Sequence, residues 1–157
     1  MNPLVRATTD PTRREACITT HFPCDPDEVW SLFSDPAKLT RWWGPPEVPM
    51  RLDRHDLRSG GRVELVVDFP SGEQINAQWS IIEADPPRRL HFRFSSDGID
   101  PTTIEVTIGP SPDGKTAMTL IARFDSPEHY EHAVDIGFDR GLRNSVDNAH
   151  AVIASAG

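Results

Sequence analysis

The chain has 157 residues, one domain at about 150 residues per domain. Its 37% apolar and 25% charged residues fit a soluble globular protein and exclude a disordered one; no apolar run approaches the roughly 20 residues that span a bilayer. With 16 Lys and Arg against 24 Asp and Glu the net charge is −8, a field that repels phosphate backbones and anionic membranes, so neither nucleic acid nor a membrane is an expected partner.

Residues 1–14 hold Pro3, Pro11, Arg13 and Arg14 with no hydrophobic period and no apolar core of signal-peptide type. They read as a flexible N-terminal tail, without a secretion signal, ahead of a single domain over 15–157. Residues 16–22 are short and β-rich, a first strand with Ile18, Thr20 and Phe22 on one face. Cys17 and Cys24 lie at either side of that strand's second half. An extended chain holds them roughly 20 Å apart, whereas a disulfide needs Cα atoms within about 7 Å. Both therefore read as reduced thiols of a cytoplasmic protein.

Asp25-Pro26-Asp27-Glu28 is a helix start, with Asp25 to cap, Pro26 for the first helical position and Val29, Trp30, Leu32 and Phe33 as the apolar face. Asp35-Pro36 repeats the device, which predicts a second short helix through Trp42 that Gly44-Pro45-Pro46 ends. From Met50 the period becomes two. Segments 50–57, 62–69, 74–84, 89–95, 102–110 and 116–124 read as six strands of an antiparallel sheet with one buried face. Turn residues join them, at Ser59-Gly60-Gly61, Pro70–Glu73, Asp85-Pro86-Pro87, Asp97-Gly98 and Pro112-Asp113-Gly114. Ser126-Pro127-Glu128 then opens one long helix, with Tyr130, Val134, Phe138, Leu142, Val146, Ala149 and Ile153 as its stripe. Gly137 and Gly141 lie on or beside that stripe. Each costs about 1 kcal/mol of helix propensity, which suggests close approach to the sheet.

The order β, two short α, six β, one long α is α+β. It gives a helix-grip fold: a seven-stranded curved antiparallel sheet around a long C-terminal helix. A strongly curved sheet cannot touch a straight helix along its whole length, so a hydrophobic pocket is expected between them.

Phe22-Pro23-Cys24-Asp25-Pro26-Asp27-Glu28-Val29-Trp30, Ser34-Asp35-Pro36, Arg41-Trp42-Trp43-Gly44-Pro45, Asp56-Leu57-Arg58-Ser59-Gly60-Gly61-Arg62, Asp85–Leu90 and Gly114-Lys115-Thr116 carry a resemblance over residues 16–154. The sequence resembles the family of activator-of-heat-shock-ATPase homologues, within the START-related, birch-allergen-like SRPBCC superfamily. The resemblance implies a helix-grip domain with an internal cavity. Some relatives stimulate a heat-shock chaperone ATPase; those activators have an additional N-terminal domain without a counterpart here. The sequence departs from the family pattern at Trp79, where relatives often have a small residue, and at Phe138, where Trp is common.

No nucleophile, phosphate-loop or catalytic-pair motif is present, so no catalytic residue is assigned. Gly60-Gly61 is a hairpin turn. His129 and His132 have ligand-like spacing but sit on the start of an acidic helix without a third ligand, so no metal and no cofactor is expected. On 50–57 either Leu52, Arg54 and Asp56 or Asp53, His55 and Leu57 face inward. One of Trp42 and Trp43 plugs the core while the other lines the pocket entrance. The candidate ligand-binding residues are Trp43, His55, Val67, Trp79, Phe94, Met118, Tyr130, Phe138 and Leu142. Trp79 has the bulk either to shrink the pocket or to offer a flat wall to a ring-shaped ligand.

The first reading is a domain that binds a small hydrophobic or aromatic molecule between sheet and helix, mainly by apolar burial. A co-chaperone-like protein-binding domain acting on a heat-shock chaperone ATPase is the alternative. A cyclase- or hydrolase-like cavity enzyme, with His55 and Tyr130 as acid–base nominees, is another. Monomer and homodimer both stay open.

Overall fold

The computed structural model describes residues 5–43, 50–97 and 99–156. Its strands and helices in chain order are β1 (Arg6–Asp10), β2 (Glu15–Phe22), α1 (Pro26–Ser34), α2 (Pro36–Trp42), β3 (Met50–His55), β4 (Arg62–Asp68), β5 (Gln74–Asp85), β6 (Arg89–Ser96), β7 (Ile99–Pro110), β8 (Thr116–Arg123), α3 (Pro127–Asp135) and α4 (Phe138–Ala156). Gly44, Pro45 and Pro46 of the second helix's stop, and Gly98 of the Asp97-Gly98 turn, lie outside the described residues.

Three helices begin on the devices the sequence carries. Asp25 Oδ1 accepts the Glu28 amide at 2.9 Å, and Asp35 Oδ1 accepts the Ala37 amide at 3.0 Å. Ser126 Oγ accepts the His129 amide at 3.1 Å. Each oxygen satisfies an amide that the first turn leaves free, and Pro26, Pro36 and Pro127 follow directly with no amide to satisfy.

The helix-grip fold is present, with an antiparallel sheet of order β1-β2-β8-β7-β6-β5-β4-β3. It has eight strands, not seven. The extra strand lies in the segment expected to be a flexible tail: Arg6–Asp10 turns back at Pro11–Arg14 and pairs with β2, Ala7 opposite Ile18. Asp10 Oδ1 accepts the Thr12 and Arg13 amides at 2.9 and 3.2 Å and closes the turn. The strand is invisible as a pattern because its side chains are almost all exposed; without a buried face, alternation has nothing to record.

Inward positions follow the pleat: Ile18, Thr20 and Phe22 on β2, Met118, Leu120 and Ala122 on β8, Leu90, Phe92 and Phe94 on β6, Val63 and Leu65 on β4. Irregular pairing at Leu52/Arg54, Ile81/Glu83 and Phe94/Ser96 interrupts the ladder, and such bulges bend a sheet. The β3 bulge also decides which residues face in. Leu52 pairs with inward Leu65 and His55 with inward Val63, while Arg54 pairs with Glu64. Neither simple alternation holds: Leu52 and His55 share the inner face because Asp53 takes up the extra step.

Gly61 lets the β3–β4 turn close. A Cβ there would collide with the Asp56 carbonyl oxygen.

The expected single C-terminal helix is two. Gly137 has φ +82 and its amide bonds the Val134 carbonyl at 3.0 Å, which ends α3; α4 restarts at Phe138. Only glycine adopts that backbone freely. Gly141 is exposed, with open space where a Cβ would stand, so close approach is not its reason. α4 packs against β1, β2 and α2, with Leu142, Val146, Ala149, Val152 and Ile153 buried.

Candidate functional site

The described core has two chemically distinct ends. Beneath α4 it is mostly aliphatic. Ala16, Ile18, Leu120 and Ala122 come from β2 and β8, and Val146, Ala149 and Ile153 from the helix. A polar contact ties the two together: Thr20 Oγ1 lies 2.7 Å from His150 Nε2, and the imidazole stacks on Phe22 with centroids 4.3 Å apart. Burial holds the His150 pKa below its ordinary value, so its neutral form is favoured.

At the other end, under β4, β5 and β6, the core is aromatic. Trp79 and Phe92 stack, centroids 4.1 Å apart and 14° between planes. Trp43, which ends α2, meets Trp79 edge-on at 4.9 Å and Phe94 at 5.8 Å. Phe138, the first residue of α4, lies 5.9 Å from both Phe94 and Phe124. Phe33 and Trp42 close the cluster from the helix side. Three of the chain's four tryptophans and five of its seven phenylalanines meet here, whereas Phe22 lies at the other end against His150.

The two adjacent tryptophans of α2 divide their roles. Trp42 is fully buried and its Nε1–H donates to the Leu32 carbonyl at 2.8 Å. Trp43 keeps 8% exposure at the rim of the ring cluster. Trp79 is fully buried too, but its Nε1 has no hydrogen-bond partner among the described residues.

Of the nine candidate residues, Trp43, Trp79, Phe94 and Phe138 come together in this cluster. Tyr130 meets it through Phe124, 5.9 Å away. His55 sits beside it and donates from Nε2 to the Phe33 carbonyl at 2.9 Å, pinning β3 to α1. Val67 is half-buried near the end of β4, opposite Ile75. Leu142 is buried on α4. Met118 is not part of the group: it lies on β8, between Thr20 and Ile108 in the ladder. Phe33, Phe92 and Phe124 belong to the cluster and were not nominated, although Phe92 stands in the same alternating run as Phe94.

On the inner face, where a pocket is expected between sheet and helix, these rings meet one another. A cavity of about 370 Å³ lies on the opposite, outer face of β4 and β5. Asp53, Glu64, Asn76, Gln78, Ser95 and Asp97 line it. Its carboxylates already hold partners. Arg51 is 3.3 Å from Asp53, Arg62 is 3.9 Å from Glu64, and Asp97 accepts the Asn76 amide at 2.9 Å.

His129, expected on a solvated helix face, is buried. Its Nδ1 accepts the Asp125 amide at 3.2 Å, and its ring meets Phe124 edge-on. Among the described residues no group of His, Cys, Asp and Glu could hold a metal ion. Cys17 and Cys24 are free thiols, and the Cys24 pKa is pushed up to about 11, first by burial and then by Glu28 and Asp25. A thiol held in its protonated form is a poor nucleophile. Among the described residues no helix is long and apolar enough to cross a membrane.

Comparison with solved structures returns the same fold across bacteria. Protein Ms6760 from Mycobacterium smegmatis superposes with a TM-score of 0.85 at 28% identity, covering 99% of this chain and 100% of that one. A protein from Arthrobacter aurescens gives 0.89 at 26% identity, over 97% and 92%. One from Rhodobacter sphaeroides gives 0.84 at 19% identity, over 96% and 98%, a likeness of fold alone. No curated protein matches the chain. The profile of the family described as Activator of Hsp90 ATPase homolog 1-like protein matches residues 23–152, and with the helix-grip fold now in view this chain belongs to that family.

Proposed function

We propose that this domain binds a small, flat, largely apolar molecule at the aromatic end of its core. The observation that carries the reading is the placement of the rings. Trp43, Trp79, Phe92, Phe94 and Phe138 form one connected group under β5 and β6, whereas α4 packs on β1, β2 and α2. Aromatic faces contribute large apolar area with preferred edge and stacked geometries, and a flat guest replaces such contacts one for one. Entry requires movement of the two rings at the rim. Trp43 is the capping residue of α2, and Phe138 follows the Gly137 break, where the backbone changes direction. The free cysteines accord with a reducing, cytoplasmic setting.

The test is a thermal-shift screen of two- and three-ring aromatics, together with native mass spectrometry of freshly purified protein. Bound guests raise Tm with the logarithm of concentration over Kd or appear as added mass. No shift with any ring system and no added mass would overturn the reading.

The family description favours a second reading, action on a heat-shock chaperone ATPase. It requires a surface, not the interior, and the net charge of −8 suits a basic partner patch. An ATPase assay with and without this protein separates the two: stimulation that survives substitution of the ring cluster supports the second, and no stimulation removes it.

A further inference from the structure

We infer that the aromatic site selects guests bearing a carbonyl-type hydrogen-bond acceptor, with Trp79 as the residue that makes the selection. This rests on the ligand-binding reading above and adds to it the chemistry of the guest.

The contrast between two buried indoles carries the argument. Trp42 and Trp79 are both wholly removed from solvent. The fold satisfies the first, at 2.8 Å to the Leu32 carbonyl, and leaves the second without a partner among the described residues. Buried donors are nearly always paired, and an unpaired one calls for a specific explanation. The ring neighbours recorded around Trp79 are Phe33, Trp43 and Phe92, centred 6.4, 4.9 and 4.1 Å away. Phenyl rings have no lone pair to offer, and an indole N–H only donates. His55, a polar side chain of the inner face, is held through its Nε2–H to the Phe33 carbonyl, and Trp79 Nε1 makes no bond to its Nδ1 acceptor.

An N–H in this position distinguishes among guests. A carboxylate would have to shed its water among apolar rings, which is costly without a paired cation. A phenol accepts from the indole but brings an O–H that needs an acceptor of its own. A ketone, quinone or lactone carbonyl accepts one bond and brings no donor. The stacked, edge-on rings demand that the carbonyl sit on a flat framework. The matching class is therefore a neutral aromatic ketone or quinone.

Fluorene and 9-fluorenone, nearly identical in size and differing by the carbonyl, make the probe pair. With ¹⁵N-labelled protein, fluorenone is expected to bind about tenfold more tightly, the value of one hydrogen bond regained in a buried site. Its binding moves the Trp79 indole N–H resonance downfield, whereas fluorene does not. In Trp79→Phe the tenfold preference falls to parity. Should that variant fail to fold, the wild-type preference and the wild-type resonance shift still decide the matter. Equal affinity of the two probes, a preference that persists in folded Trp79→Phe, or a preference without movement of the Trp79 resonance would overturn the inference and leave the ligand-binding reading standing. Failure of both probes to bind would overturn the two together.

Discussion

The aliphatic end of the core and its aromatic end solve the same packing problem differently. At the α4 end, Ala16, Ile18, Leu120 and Ala122 of β2 and β8 are buried with Val146, Ala149 and Ile153 of α4, and the polar contact of Thr20 with His150 is satisfied. Under β5 and β6, rings meet rings, the helix gives way to a break at Gly137, and a buried indole N–H has no partner among the described residues. The first end is organised for permanence. The second holds large, flat, weakly directional contacts, at a rim that two side chains close. Interiors pack near crystal density, so the difference lies not in how full each end is but in what could replace the filling.

The largest expected effect is at Trp79. Trp79→Ala should destabilise the fold by about 3–5 kcal/mol, the usual range for a buried Trp or Phe. Added indole should return part of the lost Tm by occupying the vacated space. Leu120→Ala, at the aliphatic end, should cost about 3 kcal/mol by urea unfolding, with no recovery on adding indole, because a leucine's space does not admit a bicyclic ring. Equal rescue of both variants would erase the contrast between the ends.

The helix break sharpens the comparison. Gly137→Ala places a Cβ at φ +82, 3.0 Å from the Arg140 guanidinium, and should cost about 1–2 kcal/mol. Gly141→Ala, in open space on an exposed helical face, should instead stabilise by about 0.5–1 kcal/mol. Opposite shifts in Tm for two glycines four residues apart would establish that only the first is structural. A loss on both would mean that α4 needs room at Gly141 as well.

The smallest effect is a pH dependence at the aliphatic end. Burial lowers the His150 pKa, while Asp147 opposes the shift weakly. Above the unfolded value of 6.5 the imidazole is neutral in both states and its contribution is complete. As pH falls below that value the unfolded chain takes up the proton first, so stability declines until the folded pKa is passed. Chemical denaturation between pH 7.5 and 5 should show this decline, and His150→Gln should flatten it. An unchanged slope in the variant would place the dependence elsewhere.

Much of this was legible from residue order. The caps at Asp25, Asp35 and Ser126 act locally, through an oxygen two or three residues from the amide it serves, so a linear reading finds them. Alternation on β4 and β6 records burial on one face. The helix break was legible only in part: Gly137 carried the signal, yet the apolar stripe runs across it from Val134 to Phe138 and hides the discontinuity. β1 left no signal, because an exposed edge strand needs no apolar pattern. The aromatic cluster was half legible. Strand alternation turned Trp79 and Phe94 inward, but no local rule could bring Trp43 from α2 and Phe138 from α4 to the same place.

Sequence alone determined the helix-grip order, the helix starts and the inward face of most strands, since each depends on neighbours within a few residues. Tertiary structure alone decided that a bulge at Asp53 turns His55 inward, that rings from α1, α2, β5, β6 and α4 converge, and that of two buried indoles one finds a carbonyl while the other finds no partner among the described residues. Those outcomes depend on distances between residues far apart in the chain, and such distances are set by how the bent sheet closes on its helices, not by any period in the sequence.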